Sequence, residues 1–105
     1  GRTEDGIAAY DRALRLDPAM FSALYLKGNA LIALGQESQA IPYLRQALAV
    51  QPGMFAALND LGTALTAIGA RDEARAMFQR ALQLRPDATD VLCNLGALEL
   101  AAGNE

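Results

Sequence analysis

The chain has no histidine, no tryptophan and a single cysteine, Cys93. Without histidine, imidazole acid–base catalysis, Ser-His and Cys-His nucleophile pairs and most zinc sites are excluded. One cysteine cannot form an internal disulfide, and Cys93 reads as a small buried or half-buried apolar residue. Nine basic side chains stand against twelve acidic ones, a net charge of -3. No basic stripe therefore marks a nucleic-acid footprint. No apolar run approaches the ~18 residues of a membrane span, and no secretory signal is visible. The first residue is Gly1 rather than methionine, as expected if a segment precedes it, so the sequence leaves the compartment open. Gly28 and Gly35 superficially suggest a phosphate loop, but no Gly-Lys-Ser/Thr follows. No cofactor, metal or catalytic set emerges, and the chain reads as non-catalytic.

What is present is a period. Gly28, Gly62 and Gly96 lie 34 residues apart, as do Gly1, Gly35, Gly69 and Gly103, and Pro18, Pro52 and Pro86. Ala13, Ala47 and Ala81 share the spacing. Aligning 21–54 with 55–88 gives 12 identities in 34 positions. A regular period of this length marks stacked structural units. Each unit divides into two apolar-periodic segments, FSALYLKGNALIAL then ESQAIPYLRQALAV, separated by a glycine suited to a left-handed helix stop and closed by a proline. The expected helices are 3–16, 20–34, 37–50, 54–68, 71–84 and 88–102, the last capped by Asp87. Gly62, inside a helix at a cost of about 1 kcal/mol, implies close approach of the partner helix, expected at Ala74.

The ordered set Leu24, Gly28, Leu31, Gly35, Ala40, Leu44, Ala47 and Pro52, matched by Leu58, Leu61, Gly62, Leu65, Gly69, Ala74, Phe78, Ala81 and Pro86, resembles the tetratricopeptide repeat (TPR). The resemblance covers nearly the whole chain. It implies an all-α, right-handed superhelical solenoid of antiparallel helix pairs. Residues 1–18 would be the second helix of a partial repeat, 21–54 and 55–88 full repeats, and 89–105 the first helix of a further one.

Some positions depart from the pattern. Pro42 lies within a second helix, a cost that a start near Ser38 would soften. Lys27 stands where Leu61 and Leu95 stand; its stem can lie on the core with its ammonium in water. Glu99 replaces a leucine and needs either a partner or an exposed site. Arg12, Arg15, Arg45, Arg71, Arg75 and Arg80 read as a solvated convex face.

By the same resemblance, first helices line a concave groove. The candidate contact residues are Tyr25, Leu26, Asn29, Asn59, Asp60, Thr63, Asp90 and Asn94. Some relatives grip a C-terminal carboxylate with lysine, asparagine and arginine from successive first helices. Here the lysine positions hold Tyr25 and Asp90 and the arginine position holds Asn94; of that set Asn29 alone fits. Asn59 and Asn94 more resemble the amides with which other relatives hold a peptide backbone, though ordinary polar groove residues would look the same. Three functions follow from the resemblance: a module or scaffold binding a peptide segment of a partner protein, a non-catalytic arm of a larger enzyme such as a glycosyltransferase, or a scaffold that associates end to end with itself. The uncovered faces in the last case are Ile7, Tyr10 and Leu14 at one end, and Leu92, Leu95 and Leu98 at the other.

Overall fold

The computed structural model describes residues 1–103 and contains six helices, with no strand among them: α1 Arg2–Leu16, α2 Phe21–Ala33, α3 Glu37–Val50, α4 Phe55–Ala67, α5 Arg71–Leu84 and α6 Thr89–Gly103. Each boundary falls within one or two residues of the expected one. The chain is an all-α helical repeat solenoid, and its long dimension is 44 Å against 26 and 20 Å across.

Two kinds of turn alternate along it. Gly35 and Gly69 adopt φ of 77° and 83°, where a side chain would be strained. Behind each glycine the chain folds back on the helix it has left. Gln36 N–H donates to the Leu31 carbonyl at 2.8 Å and Gly35 N–H to Ile32 at 2.9 Å; Ala70 to Leu65 and Gly69 to Thr66 repeat the pair. These bonds satisfy orphan carbonyls at the helix end and hold the next helix antiparallel. At the other turn, Asp17, Gln51 and Arg85 leave the helical conformation, with φ of -145°, -134° and -139°, while each N–H still bonds four residues back. The proline that follows stops any continuation. None of α1 to α5 has a side-chain cap at its N-terminus. Asp87 does not cap α6 either: that helix opens one residue later, on Ala88, whose carbonyl accepts from Leu92 N–H.

Packing explains the interior glycines. A Cβ on Gly62 would lie 2.5 Å from the Phe78 ring, and one on Gly28 would lie 2.8 Å from Leu44 Cγ. The close approach is real, and what it meets first is the large side chain one turn beyond Ala74 and Ala40; at Gly28 the Ala40 carbonyl follows at 3.4 Å. Bare backbone on α2 and α4 forms a socket, and Leu44 or Phe78 fills it. Both are essentially inaccessible to water, alongside Leu58 and Leu65. Burying each such side chain contributes about 1.5–3 kcal/mol, which outweighs the helix propensity lost at glycine. The core runs through α2 to α6, whereas α1 contains no buried residue.

Two departures are resolved differently from the expectation. Pro42 is exposed but lies well inside α3, which starts at Glu37, so there is no late start. Lys27 does not send its ammonium to water. It pairs with Asp11 of α1 and sits 4.3 Å from the centre of the Tyr43 ring, its side chain 13% exposed. Burial opposes that charge, but hydrogen bonds to Asp11 and Tyr43 prevail and hold its pKa above the ordinary lysine value.

Candidate functional site

The first helices form the tighter layer. Backbones of α2 and α4, and of α4 and α6, come into contact, whereas those of α3 and α5 nowhere approach within 8 Å. A stack with one compact and one splayed layer curves toward the compact one, so α2, α4 and α6 form the inner face.

On that face the polar side chains meet in pairs across neighbouring helices. Asn29 Nδ2 on α2 donates to Asp60 Oδ2 on α4 at 3.0 Å, and Asn94 Nδ2 on α6 donates to Asn59 Oδ1 on α4 at 3.1 Å. The Tyr25 hydroxyl faces the same carboxylate. Its pKa is pushed up to about 12, first by burial and then by the adjacent carboxylate charge and hydrogen bond. Asp60, half-buried, thus faces Asn29 and Tyr25 of α2. The Thr63 and Thr66 hydroxyls turn back to the carbonyls of Asn59 and Gly62. Leu26 is 40% exposed, and Asp90 and Cys93 are open to solvent, which corrects the half-buried placement expected for the cysteine.

The structure brings Asn59, Thr63 and Asn94 together, and Tyr25, Asn29 and Asp60 together. Leu26 and Asp90 make no side-chain hydrogen bond or ion pair among the interactions described. Beside the first group opens a cleft of about 350 Å³ between α4, α5 and α6. Thr63, Thr66, Ala67, Asn94, Ala97 and Ala101 line it, with Phe78 and Leu98 at its apolar base and Arg71 on its wall. The first turn of a second helix therefore reaches the inner face, and Arg71 does not belong to a convex set. The available signal was its place directly after the Gly69 turn, where the chain passes from one layer to the other. Two of the other arginines act between repeats: Arg45 pairs with Glu73 at 2.7 Å, and Arg75 bridges Asp72 and Glu99. Glu99 thus has a partner and is also about half exposed.

Chemically, the inner face offers amide donors and acceptors, small side chains that let a ligand approach the backbone, two carboxylates and the Arg71 guanidinium. No group of three His, Cys, Asp or Glu side chains close enough to hold a metal ion occurs among the described residues, and none of the helices is long and apolar enough to cross a membrane.

The family model for the tetratricopeptide repeat matches residues 1–41 and 25–89. Among solved structures, the first TPR of Spaghetti (RPAP3) bound to the HSP90 peptide SRMEEVD superposes with a TM-score of 0.94 at 21% identity, over 98% of this chain and 82% of that one. The second TPR domain of human RPAP3, in complex with the HSP70 peptide SGPTIEEVD, gives 0.88 at 24% identity, over 94% and 82%. MamA 41-end from Desulfovibrio magneticus RS-1 gives 0.92 at 26% identity; there the match takes in 98% of this chain and 58% of that one. No curated protein matches the sequence at a significant level.

Proposed function

The chain belongs to the tetratricopeptide repeat family, and from that premise we propose that its inner face binds an extended, neutral or basic peptide segment of a partner protein. The observation that carries this reading is the Asn59–Asn94 pair at the mouth of the cleft. The single bond between them leaves the Asn94 oxygen as an acceptor and the Asn59 amide as a donor. Those are the two functions a peptide backbone needs, at a place where small side chains leave room for it. The similar RPAP3 domains bind peptides ending in Glu-Glu-Val-Asp. Here Tyr25, Asp60, Asp90 and Asn94 supply no lysine or arginine at the corresponding places, and Asp60 and Asp90 would repel such a terminus.

Peptides selected by display against the full chain, then titrated by calorimetry, test this. The expectation is that selected sequences are neutral or basic and that SRMEEVD binds more weakly than any of them. Asn94→Ala should weaken the selected peptides roughly five- to tenfold, the loss of one or two backbone hydrogen bonds. Binding of SRMEEVD as tight as that of the selected peptides would defeat the charge argument. Full affinity in Asn94→Ala would defeat the assignment of the amide pair.

A further inference from the structure

We propose that the outer face carries a second docking site, the cleft between α3 and α5, which takes an amphipathic helix of a partner protein with acidic side chains beside an apolar anchor. The inference is independent of the inner face.

The splay of the second helices builds the cleft. The backbones of α3 and α5 nowhere come within 8 Å, and a cleft of about 260 Å³ opens between them. Leu61 of α4 forms its floor, with Leu48 of α3 and Met77 of α5 on its walls. That volume lies below the ~300–1,000 Å³ of a small-molecule site and suits one large side chain of a protein. Helices precede and follow these three in the chain, so the cleft is interior to the array. The corresponding cleft one repeat earlier, between α1 and α3, is different. Lys27 stands there in place of Leu61, and Tyr43 in place of Met77. The Lys27 ammonium is already taken by Asp11 and the Tyr43 ring. The α3–α5 cleft thus has an apolar floor where its counterpart has a satisfied ion pair.

The rim decides the charge of the occupant. Arg45 and Glu73 pair across the cleft and offset one another. The Arg80 guanidinium has only the Met77 sulfur, a weak acceptor, at 3.9 Å, and no carboxylate partner among the described residues. The rim therefore keeps one uncompensated cation, the reverse of the inner face, where Asp60 and Asp90 set the sign. The lining also contains no amide or hydroxyl side chain, and the middle of a helix presents no free backbone N–H or C=O. An extended peptide pressed into the cleft would bury backbone groups without partners, whereas a helix satisfies its own. The occupant is thus a helix that sets a large apolar side chain in the cleft and a carboxylate, one helical turn along the same face, on Arg80. With inner and outer faces of opposite sign, the chain can hold two different partners at once, as a scaffold does.

The test is a phage-displayed library of amphipathic helical peptides sorted on the full chain, with the enriched peptides titrated by fluorescence anisotropy against it and three variants. Arg80→Glu reverses the unmatched charge. Ala49→Arg, at an exposed position on the cleft wall, fills the cleft while keeping its sign. Gln79→Glu places a negative charge on the exposed side of α5 outside the cleft. Circular dichroism checks that all three keep their helix content. Enriched helices should carry a large apolar residue with Asp or Glu one turn away. Arg80→Glu should weaken them roughly tenfold, by an attraction lost and a repulsion gained. Ala49→Arg should abolish binding, and Gln79→Glu should leave it within about twofold of wild type. Methyl resonances of Leu48, Leu61 and Met77 should shift on binding. Enriched helices without acidic residues, binding that survives Ala49→Arg, or equal losses in Gln79→Glu and Arg80→Glu overturn the proposal. So does a library that yields no binder. A wild-type mass that climbs above 11.1 kDa with concentration, and does not in Ala49→Arg, would make a second copy the occupant and overturn it too.

Discussion

Gly28, Gly62 and Gly96 occupy one repeat position in three surroundings, so the same substitution should change stability in different directions. Alanine gains about 1 kcal/mol over glycine in a helix interior wherever its methyl has room. At Gly62 it has none. The added Cβ would sit 2.5 Å from one carbon of the Phe78 ring and 2.8 Å from two more, and ordinary contact begins near 3.4 Å. The ring is 1% exposed and cannot retreat by most of an ångström without displacing its neighbours. Overpacking costs about 1–3 kcal/mol, and contacts this short against a fixed ring belong to the upper part of that range, about 2–3 kcal/mol. With the helix gain of about 1 kcal/mol subtracted, Gly62→Ala should lose a net of about 1–2 kcal/mol, or about 4–16 °C in Tm for a domain of this size. At Gly28 the obstruction is Leu44 Cγ at 2.8 Å, an aliphatic side chain with more freedom than a ring, and the net effect should fall between zero and about 1 kcal/mol of loss. At Gly96 the space is open and Gly96→Ala should gain about 0.5–1 kcal/mol. Urea and thermal unfolding followed by circular dichroism would measure all three. Gly62→Ala as stable as the parent, or Gly96→Ala less stable than it, would refute the account of these glycines as sockets.

Two other changes follow from the structure. Pro42→Glu restores an N–H that can reach the Ser38 carbonyl at an exposed position inside α3, and should stabilise the fold by about 1 kcal/mol after the lost rigidity of the unfolded chain is subtracted; an unchanged denaturation midpoint would mean that α3 absorbs the proline without cost. At alkaline pH, Tyr25 and Lys27 act together. Both keep their protons in the folded chain at pH values where the unfolded chain has released them, since the unfolded values are about 10 and 10.4. Between about pH 10 and 12 the native state binds more protons, so stability should fall with rising pH, and Tyr25→Phe should flatten part of that slope. Equal slopes in the two proteins would show that Tyr25 titrates as it does in the unfolded chain.

The repeat was legible because its determinants are local: positive φ demands glycine at 35 and 69, and proline at 18, 52 and 86 forbids continuation. Such rules need no knowledge of what lies across the core, so six helices were placed to within two residues. What lay beyond the sequence was the identity of each partner. Gly62 announced a close approach, but Ala74 and Phe78 lie one turn apart on the same stripe of α5. The geometry that selects the ring over the methyl is the crossing of two helices, which no period encodes. Lys27 posed the same problem in charge. A lysine on a leucine stripe has a stem to bury, and whether its head meets water or an anion depends on Asp11, 16 residues earlier on another helix. The inner face shows the limit most plainly. Asn29, Asp60, Asn59 and Asn94 could each be placed on the groove by register, but their pairing joins residues 31 and 35 positions apart. That spacing is close to one repeat, because neighbouring first helices differ by one period and a groove side chain meets its counterpart one unit on. A period therefore predicts which positions meet across repeats, and the side chains at those positions decide the chemistry. Asn94 meeting Asn59 and Asp60 meeting Asn29 both fall within a few residues of that spacing, and the helix crossing selects the exact partner.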